Sequence, residues 1–238
     1  GELHVNSGAL LGTGTLTVGE KATFTGVSGA TSTTAGKSPM TNSSYTINGT
    51  LQSGNTATAS IGYWNFGGKD MTFGAKSTLR VGINKCATAT NPGCTTIFNI
   101  GKLTMKDGAT ISAYLANDNY EPTRDEAVTD SFRIFHTVEN VVLGTLNFDL
   151  PQLPAGNYWD TSRISEGMLF VYYKPVTGDV NGDGSFDITD ITSMIAAYLG
   201  TVSDTDKSRY DLDGDGEVTV ADITLLIDKY LALDNIGE

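Results

Sequence analysis

The sequence predicts a mainly β N-terminal domain, the end of a parallel β-solenoid (β-helix) closed by a C-terminal cap, followed by a small all-α domain. Up to about residue 174 the chain is rich in Gly, Thr, Ser and Asn, and apolar residues alternate with period two. A strand–turn–strand pattern recurs in this part. After residue 178 one unit is written twice, and apolar residues at helical spacing end each copy. We therefore predict two domains, residues 1–174 and 175–238.

The β-rich part contains five similar segments, in which two apolar residues flank Thr or His and a Gly or Asn-Gly turn precedes another apolar residue. They lie at residues 3–11, 16–24, 45–51, 71–79 and 103–111. The later copies recur at roughly 26 to 32 residues, a spacing that favours stacked coils over a sandwich of hairpins. In such coils inward apolar side chains form a continuous column, and Thr suits the half-exposed outer face.

The repeats are interrupted at residues 117–131, whose charges and proline predict a long excursion. Residues 132–148 are predicted to form two more strands, and the paired Leu-Pro turns, the WDTS segment and the apolar strand of residues 150–173 to close the domain. Residues 1–174, and residues 132–173 most of all, resemble the end of autotransporter-like passenger β-helices and related bacterial surface repeats. The resemblance implies a solenoid whose C-terminal end is sealed by a different sheet.

The duplicated unit carries oxygen-bearing side chains at loop positions 1, 3 and 5, glycine at position 6 and a carboxylate at position 12. This pattern is typical of a calcium loop, in which position 7 contributes a backbone carbonyl. The predicted ligands of the first loop are Asp179, Asn181, Asp183, Ser185 and Asp190, and those of the second loop are Asp211, Asp213, Asp215, Glu217 and Asp222. Two copies in register make a chance match unlikely, so the sequence predicts two Ca²⁺ ions.

Each calcium loop is followed by a helical pattern, and the apolar stripes predict that Ile191, Ile195 and Tyr198 pack against Ile223, Ile227 and Tyr230, which leaves Ala196, Ala197 and Leu225 without internal contacts. The residues before Asp179, however, read as a strand that ends at a proline. An EF-hand would have a helix there and a glutamate at position 12. The loop–helix duplication with aspartate at position 12 resembles the type I dockerin module, over about residues 176–234. The resemblance implies calcium-dependent folding and docking to a cohesin-type partner. The partner-reading positions 10 and 11 correspond to Ile188, Thr189, Val220 and Ala221.

Charge and cysteine content narrow the class of protein. The formal net charge is -12, and the residues from Asp179 onward hold 14 acidic and 3 basic residues, so they carry -11 of it. The acidity is therefore local to the part of the chain that carries the calcium loops, and nothing is basic enough to predict nucleic-acid binding. Cys86 and Cys94 bracket a short turn-rich loop, and a disulfide there fits the extracellular or bacterial cell-surface location that we predict; two free thiols are the alternative.

No catalytic motif of a zinc protease, an α/β-hydrolase or a phosphate-binding loop occurs in the sequence. A pair of carboxylates for glycoside hydrolysis would have to come from the excursion, where a solvated charged loop is the favoured interpretation; the candidates are Asp118, Glu121, Asp125, Glu126 and Asp130. We therefore predict a non-catalytic display and docking protein associated with polysaccharide-processing or surface assemblies. The alternatives are the tail of a carbohydrate-active enzyme and a carbohydrate-binding module, whose sugar-stacking candidates are Tyr63, Trp64, Phe66, Tyr158 and Trp159.

Overall fold

A computed structural model describes residues 1–5, 12–26, 42–53, 63–84, 93–116, 120–154, 156–200 and 209–234. The chain divides into two compact units. The first comprises residues 1–123, 127–152 and 159–172, and the second comprises residues 124–126, 153–158 and 173–238. The boundary predicted between residues 174 and 175 remains a proposal.

The first unit is built mainly from two six-stranded sheets, whose pairings are parallel. Their strands are β1 (Glu2–Val5), β2 (Thr15–Val18), β3 (Thr23–Gly26), β4 (Ser44–Ile47), β5 (Thr50–Ser53), β6 (Tyr63–Phe73), β7 (Thr78–Ile83), β8 (Thr96–Met105), β9 (Thr110–Leu115), β11 (Phe135–Thr137), β12 (Val141–Leu143) and β13 (Asn147–Asp149). One sheet has the order β1-β3-β5-β7-β9-β13, and the other has the order β11-β8-β6-β4-β2, with β12 also paired to β8. From β1 to β9, successive strands thus alternate between the two sheets.

Strand register arranges the side chains of the first unit in rows. Phe24, Leu51, Leu79 and Ile111 are direct neighbours across four strands, and all four are buried. The residue before each of them is a threonine, and these threonines form a second row on the opposite face; they are Thr23, Thr50, Thr78 and Thr110. Because side chains alternate between the faces of a strand, the apolar and threonine periods of the sequence are explained together.

Tight turns connect successive strands of the two sheets, and the turn between β4 and β5 requires glycine. A Cβ atom on Gly49 would lie 2.2 Å from the carbonyl oxygens of both Ala22 and Gly19. No side chain can be accommodated at that distance from backbone atoms. The glycine of the Asn-Gly pair in the third repeat is therefore required by its contact with the turn of the preceding repeat.

Two details of the predicted strand pattern are wrong. Strand β1 of the first repeat pairs with β3, the second strand of the next repeat, whereas the first strands of the later repeats form the other sheet. The first repeat is therefore out of phase with the later ones, which explains the short spacing between the first and second repeats. Residues 132–148 contain the second half of β10 (Asp130–Arg133), the short strands β11 and β12 and most of β13, where the sequence predicts two strands. Turns interrupt this stretch more often than its apolar residues indicate.

A separate three-stranded sheet follows, with the order β10-β15-β14. It contains β14 (Asn157–Asp160) and β15 (Met168–Tyr173), joined by a 3₁₀ turn at Ile164–Glu166, and β10 runs antiparallel to β15. Beside it, the buried carboxylate of Asp130 accepts hydrogen bonds from the Tyr120 hydroxyl at 2.7 Å and from the Thr123 hydroxyl at 2.8 Å. These hydrogen bonds tie Tyr120 and Thr123 to the first residue of β10, so Asp130 serves to anchor the excursion.

The second unit contains helix α1 (Ile188–Tyr198) and helix α2 (Val220–Asp234). Its fully buried core residues are Met194 and Leu226, and around them pack Val180, Ile191, Ala197 and Tyr210, with Phe186, Leu212, Val218, Ile223, Ile227 and Tyr230 partly buried. Neither helix in the described part of the chain has the length and apolar character that crossing a membrane requires.

The buried face of α1 differs from the predicted one. Ile195 and Tyr198 were expected to pack against α2, but their side chains are 40% and 46% exposed. Ala197, which we expected to have no internal contact, is buried together with Met194. Helix α1 is therefore rotated from the predicted phase, so that two large apolar side chains lie on its surface.

Candidate functional site

Position 1 of each calcium loop organises the turn that follows it. In the first loop, Asp179 accepts hydrogen bonds from the N–H groups of Gly182 at 2.7 Å and Gly184 at 2.8 Å. In the second loop, Asp211 accepts from Gly214 at 2.7 Å and Gly216 at 2.9 Å. The carboxylate at position 1 thus accepts equivalent hydrogen bonds in both loops and gives them the same turn.

Positions 3 and 5 continue the curl through short local hydrogen bonds. Asn181 and Asp183 each accept from the N–H two residues ahead, at 2.7 and 2.9 Å, and Asp213 and Asp215 do so at 3.0 and 2.8 Å. These side-chain turns bring every second residue to one side of the loop. Carboxylate oxygens of Asp211, Asp213 and Asp215 consequently lie within 4.8 Å of one another.

The position-6 glycines take the left-handed backbone that the sharp turn needs. Gly184 has φ 94° and Gly216 has φ 91°. L-residues with a side chain rarely adopt this region, so glycine is required here by backbone conformation.

In the first loop, the position-12 carboxylate is buried and joins the loop to the helix. Asp190 is fully buried and accepts hydrogen bonds from the N–H groups of Asn181 at 3.1 Å and Asp187 at 2.9 Å. Asp187 caps α1 in return, and its carboxylate accepts from the N–H of Thr189 at 2.7 Å. Hydrogen bonds that Asp187 accepts from the hydroxyl and the N–H of Thr189 lower the pKa of Asp187.

Asp222 has the same role in the second loop. Its carboxylate is fully buried, which on its own would raise its pKa. The N–H groups of Thr219, Leu212 and Asp213 donate to it at 2.8, 2.7 and 3.2 Å, and the pKa of Asp222 is lowered as a result. The carboxylate is thus held ionised where a metal ligand must be ionised.

Repulsion between carboxylates is concentrated at position 3 of the second loop. The N–H of Asp215 donates to Asp213 and lowers its pKa, but desolvation and the carboxylates of Asp215, Asp222 and Asp211 raise it, and the pKa of Asp213 is raised overall. Each of these groups would be stabilised by a nearby cation. The donor set consists of carboxylate, amide and carbonyl oxygens, so it fits a hard cation such as Ca²⁺.

The predicted partner-reading residues lie at the start of the two helices and are all exposed. Ile188 is 56% exposed and Val220 is 57% exposed, and Thr189 and Ala221 follow them in the first turn of each helix. Large exposed apolar side chains at both helix starts are available to a partner.

The other candidate residues that the structure describes are either packed in the fold or exposed one by one. Trp64 and Phe66 are buried in the first unit, and the indole N–H of Trp159 donates to the Pro151 carbonyl at 2.9 Å. Tyr158 is 48% exposed, and nothing is described of the Tyr63 side chain. Of the candidate acids, Glu121, Asp125 and Glu126 are exposed, Asp130 is the buried anchor, and Asp118 lies outside the described residues.

The predicted Cys86–Cys94 disulfide remains a prediction, because Cys86 lies outside the described residues. Cys94 is fully buried, and its Sγ lies 3.3 Å from the carbonyl oxygen of Arg133. A bridge would close a short loop, so we expect reduction to lower the free energy of unfolding by on the order of 2 to 3 kcal/mol without unfolding the protein. Denaturant unfolding with and without reductant measures this difference. Two free thiols found by mass spectrometry of the unreduced protein would contradict the bridge.

Comparison with known proteins supports the interpretation of the C-terminal part. Residues 177–231 match the family model described as the dockerin type I domain. No curated protein and no solved structure matches the chain. The family match supports calcium binding and protein binding by these residues, in agreement with the geometry of the two loops. The chain therefore carries a C-terminal type I dockerin module.

Proposed function

We propose that the second unit binds two calcium ions and then docks to a cohesin-type partner through the exposed face of α1, while the first unit is a non-catalytic display domain. The observation that carries this proposal is that two loops with matching hydrogen bonds each lead into a helix that begins with an exposed apolar side chain. The buried aspartates Asp190 and Asp222 join each loop to the helix that follows it. Calcium binding and folding of the docking surface therefore occur together.

The calcium ligands that we propose are those named from the sequence, in two sets of five. Asp179, Asn181, Asp183 and Asp190 would bind through side chains in the first loop, with the Ser185 carbonyl; Asp211, Asp213, Asp215 and Asp222 would do so in the second, with the Glu217 carbonyl. Calcium would neutralise carboxylates that otherwise repel one another. The matching hydrogen bonds of the two loops support one ion in each.

The exposed face of α1 is the better candidate for the partner contact. Ile188, Thr192, Ile195 and Leu199 recur at helical spacing, and all are exposed, with Leu199 at 69%. The corresponding row of α2 is interrupted at Ile227, which packs into the core of the unit. No charged residue interrupts the α1 row, so an apolar, uncharged partner surface would fit it.

We also propose that residues 1–174 form a capped β-solenoid end, to which residues 175–238 are joined. The alternation of strands between two parallel sheets and the continuous buried row from Phe24 to Ile111 support this architecture. Dockerin modules occur in extracellular assemblies that process polysaccharides, which supports an extracellular or cell-surface location for this chain.

Calorimetric titration of the full chain against a panel of cohesin domains tests the docking proposal. We expect binding in calcium and none in excess chelator. Ile195→Asp should weaken binding by about 2 kcal/mol or more, the cost typical of a central interface residue, or roughly 30-fold. Leu225→Asp is the matched control, because Leu225 is similarly exposed on α2 but lies outside both rows. Its affinity should stay within about threefold of the parent.

Two results would contradict the docking proposal in different ways. If no cohesin in the panel binds in calcium, the partner class is wrong. Unchanged affinity in a chain carrying both Ile188→Asp and Ile195→Asp would exclude the α1 face as the contact, provided that circular dichroism shows intact helices.

A further inference from the structure

The first calcium loop differs from the second at position 3, where Asn181 stands in the place of Asp213 and is followed by Gly182. Because glycine has no Cβ, its backbone nitrogen can approach the side-chain carbonyl carbon of the preceding asparagine. Attack at that carbon forms a C–N bond and breaks the Cγ–Nδ2 bond. The proton lost by the glycine nitrogen passes through solvent to the departing amide nitrogen, which leaves as ammonia. Water then opens the succinimide at either carbonyl to give aspartate or isoaspartate.

In the folded loop, both reacting groups are held by hydrogen bonds. The Gly182 N–H donates to Asp179 Oδ1 at 2.7 Å. The Asn181 side chain accepts from the N–H of Asp183 at 2.7 Å and donates to Asp183 Oδ2 and Thr189 Oγ1, each at 3.0 Å. Attack requires the amide to rotate and the glycine nitrogen to leave the carboxylate. The reaction therefore needs the loop to open.

We propose that Asn181–Gly182 is a site of spontaneous deamidation that calcium protects and that loss of calcium exposes. The inference rests on the proposed calcium binding at this loop. The second loop has aspartate at position 3 and therefore no amide to lose there. Isoaspartate routes the backbone through its Cβ, which lengthens the loop by one atom and displaces the ligand oxygen. A reversible loss of calcium thus becomes permanent damage in the first loop, and of the two position-3 residues only Asn181 changes the mass of the chain when it reacts.

The chain contains an internal control at Asn48–Gly49, in the first unit. The N–H groups of Asn48 and Gly49 both donate to the carbonyl of Val18, at 2.8 and 3.3 Å. These hydrogen bonds hold the turn between β4 and β5 against the end of β2, and no calcium loop is involved, so the deamidation rate of Asn48 should not depend on calcium.

Peptide mass spectrometry of the full chain, incubated at mildly alkaline pH with saturating calcium or with excess chelator, tests the proposal. Calcium at about 100 times its dissociation constant reduces the open population about 100-fold, so deamidation of Asn181 should be at least about tenfold faster in chelator. The rate at Asn48 should be the same in both samples. In Asn181→Asp the calcium-dependent mass gain should disappear, which assigns it to this residue.

Equal rates at Asn181 with and without calcium would overturn the inference, and so would a parallel acceleration at Asn48. Helical circular dichroism of the same samples distinguishes failure of the deamidation proposal from failure of the proposed calcium dependence. Melted helices with an unchanged Asn181 rate would overturn the deamidation site alone. Helices that stay folded in chelator would overturn the proposed calcium dependence together with the protection that rests on it.

Discussion

Chelation of calcium should abolish most of the helical circular-dichroism signal of this protein. The α-helices of the described residues lie in the second unit, and each begins beside a calcium loop; in the second loop, carboxylate oxygens of Asp211, Asp213 and Asp215 lie within 4.8 Å of one another. Without a cation those charges repel over a few ångströms, and the small core around Met194 and Leu226 must hold the unit alone. Binding free energy at such a site is therefore folding free energy. Readdition of calcium should restore the signal, and helices that persist in excess chelator would contradict this prediction.

Substitution of the aspartate at position 12 tests the calcium dependence of each loop separately. Asp222→Ala removes a buried carboxylate that accepts hydrogen bonds from three backbone N–H groups. Loss of a residue that only supports a metal ligand lowers metal affinity about tenfold or more, so we expect loss of this proposed ligand to weaken calcium binding by more than about tenfold. Asp190→Ala should do the same in the first loop. Asp228→Ala is the control, since Asp228 is an exposed acid of α2 outside the loops. Calcium titration followed by circular dichroism measures the calcium affinity of the three variants. An equal loss of affinity in Asp228→Ala would indicate a general charge effect.

Leu79→Ala should destabilise the first unit by about 2 to 5 kcal/mol, because it leaves a cavity in the middle of a continuous buried row. The adjacent Thr78→Ala is the matched control. Its side chain lies on the opposite face of the same strand, between Thr50 and Thr110, and its loss should cost roughly 0.2 to 1 kcal/mol.

Tryptophan fluorescence can follow this unfolding selectively. The two tryptophans of the chain, Trp64 and Trp159, both lie in the first unit. Denaturant unfolding in saturating calcium therefore reports on that unit while the second is stabilised. Equal losses of stability in the Leu79 and Thr78 variants would contradict the assignment of the two faces.

The calcium loops could be predicted in detail because their geometry is local. Positions 1 to 12 lie within one short segment, and Asp179, Gly184 and Asp190 follow from what a hard cation and a tight turn require. The strands of the repeats at residues 16–24, 45–51, 71–79 and 103–111 could be placed for a similar reason, since each repeat contains its own turn. The short first repeat could be aligned with either half of the pattern, so its phase was assigned wrongly.

The face of α1 could not be predicted because apolar residues occur all around this helix. The segment from Ile191 to Leu199 offers several apolar stripes of similar quality. The choice between Ile195 and Ala197 as a core residue depends on how closely α2 approaches, and small residues allow the closer approach. Such a contact is set by tertiary packing, which no local pattern contains.

The register of the first unit sets where its sequence can change in length. The buried row advances by 27 residues from Phe24 to Leu51 but by 32 from Leu79 to Ile111, and yet the pairing of each strand with the next is kept. Segments between strands thus tolerate insertions of many residues, whereas a single residue added within a strand would exchange its inner and outer faces. Foreign peptides could therefore be grafted at the connections and presented at the spacing of the strands, about 4.8 Å for each step.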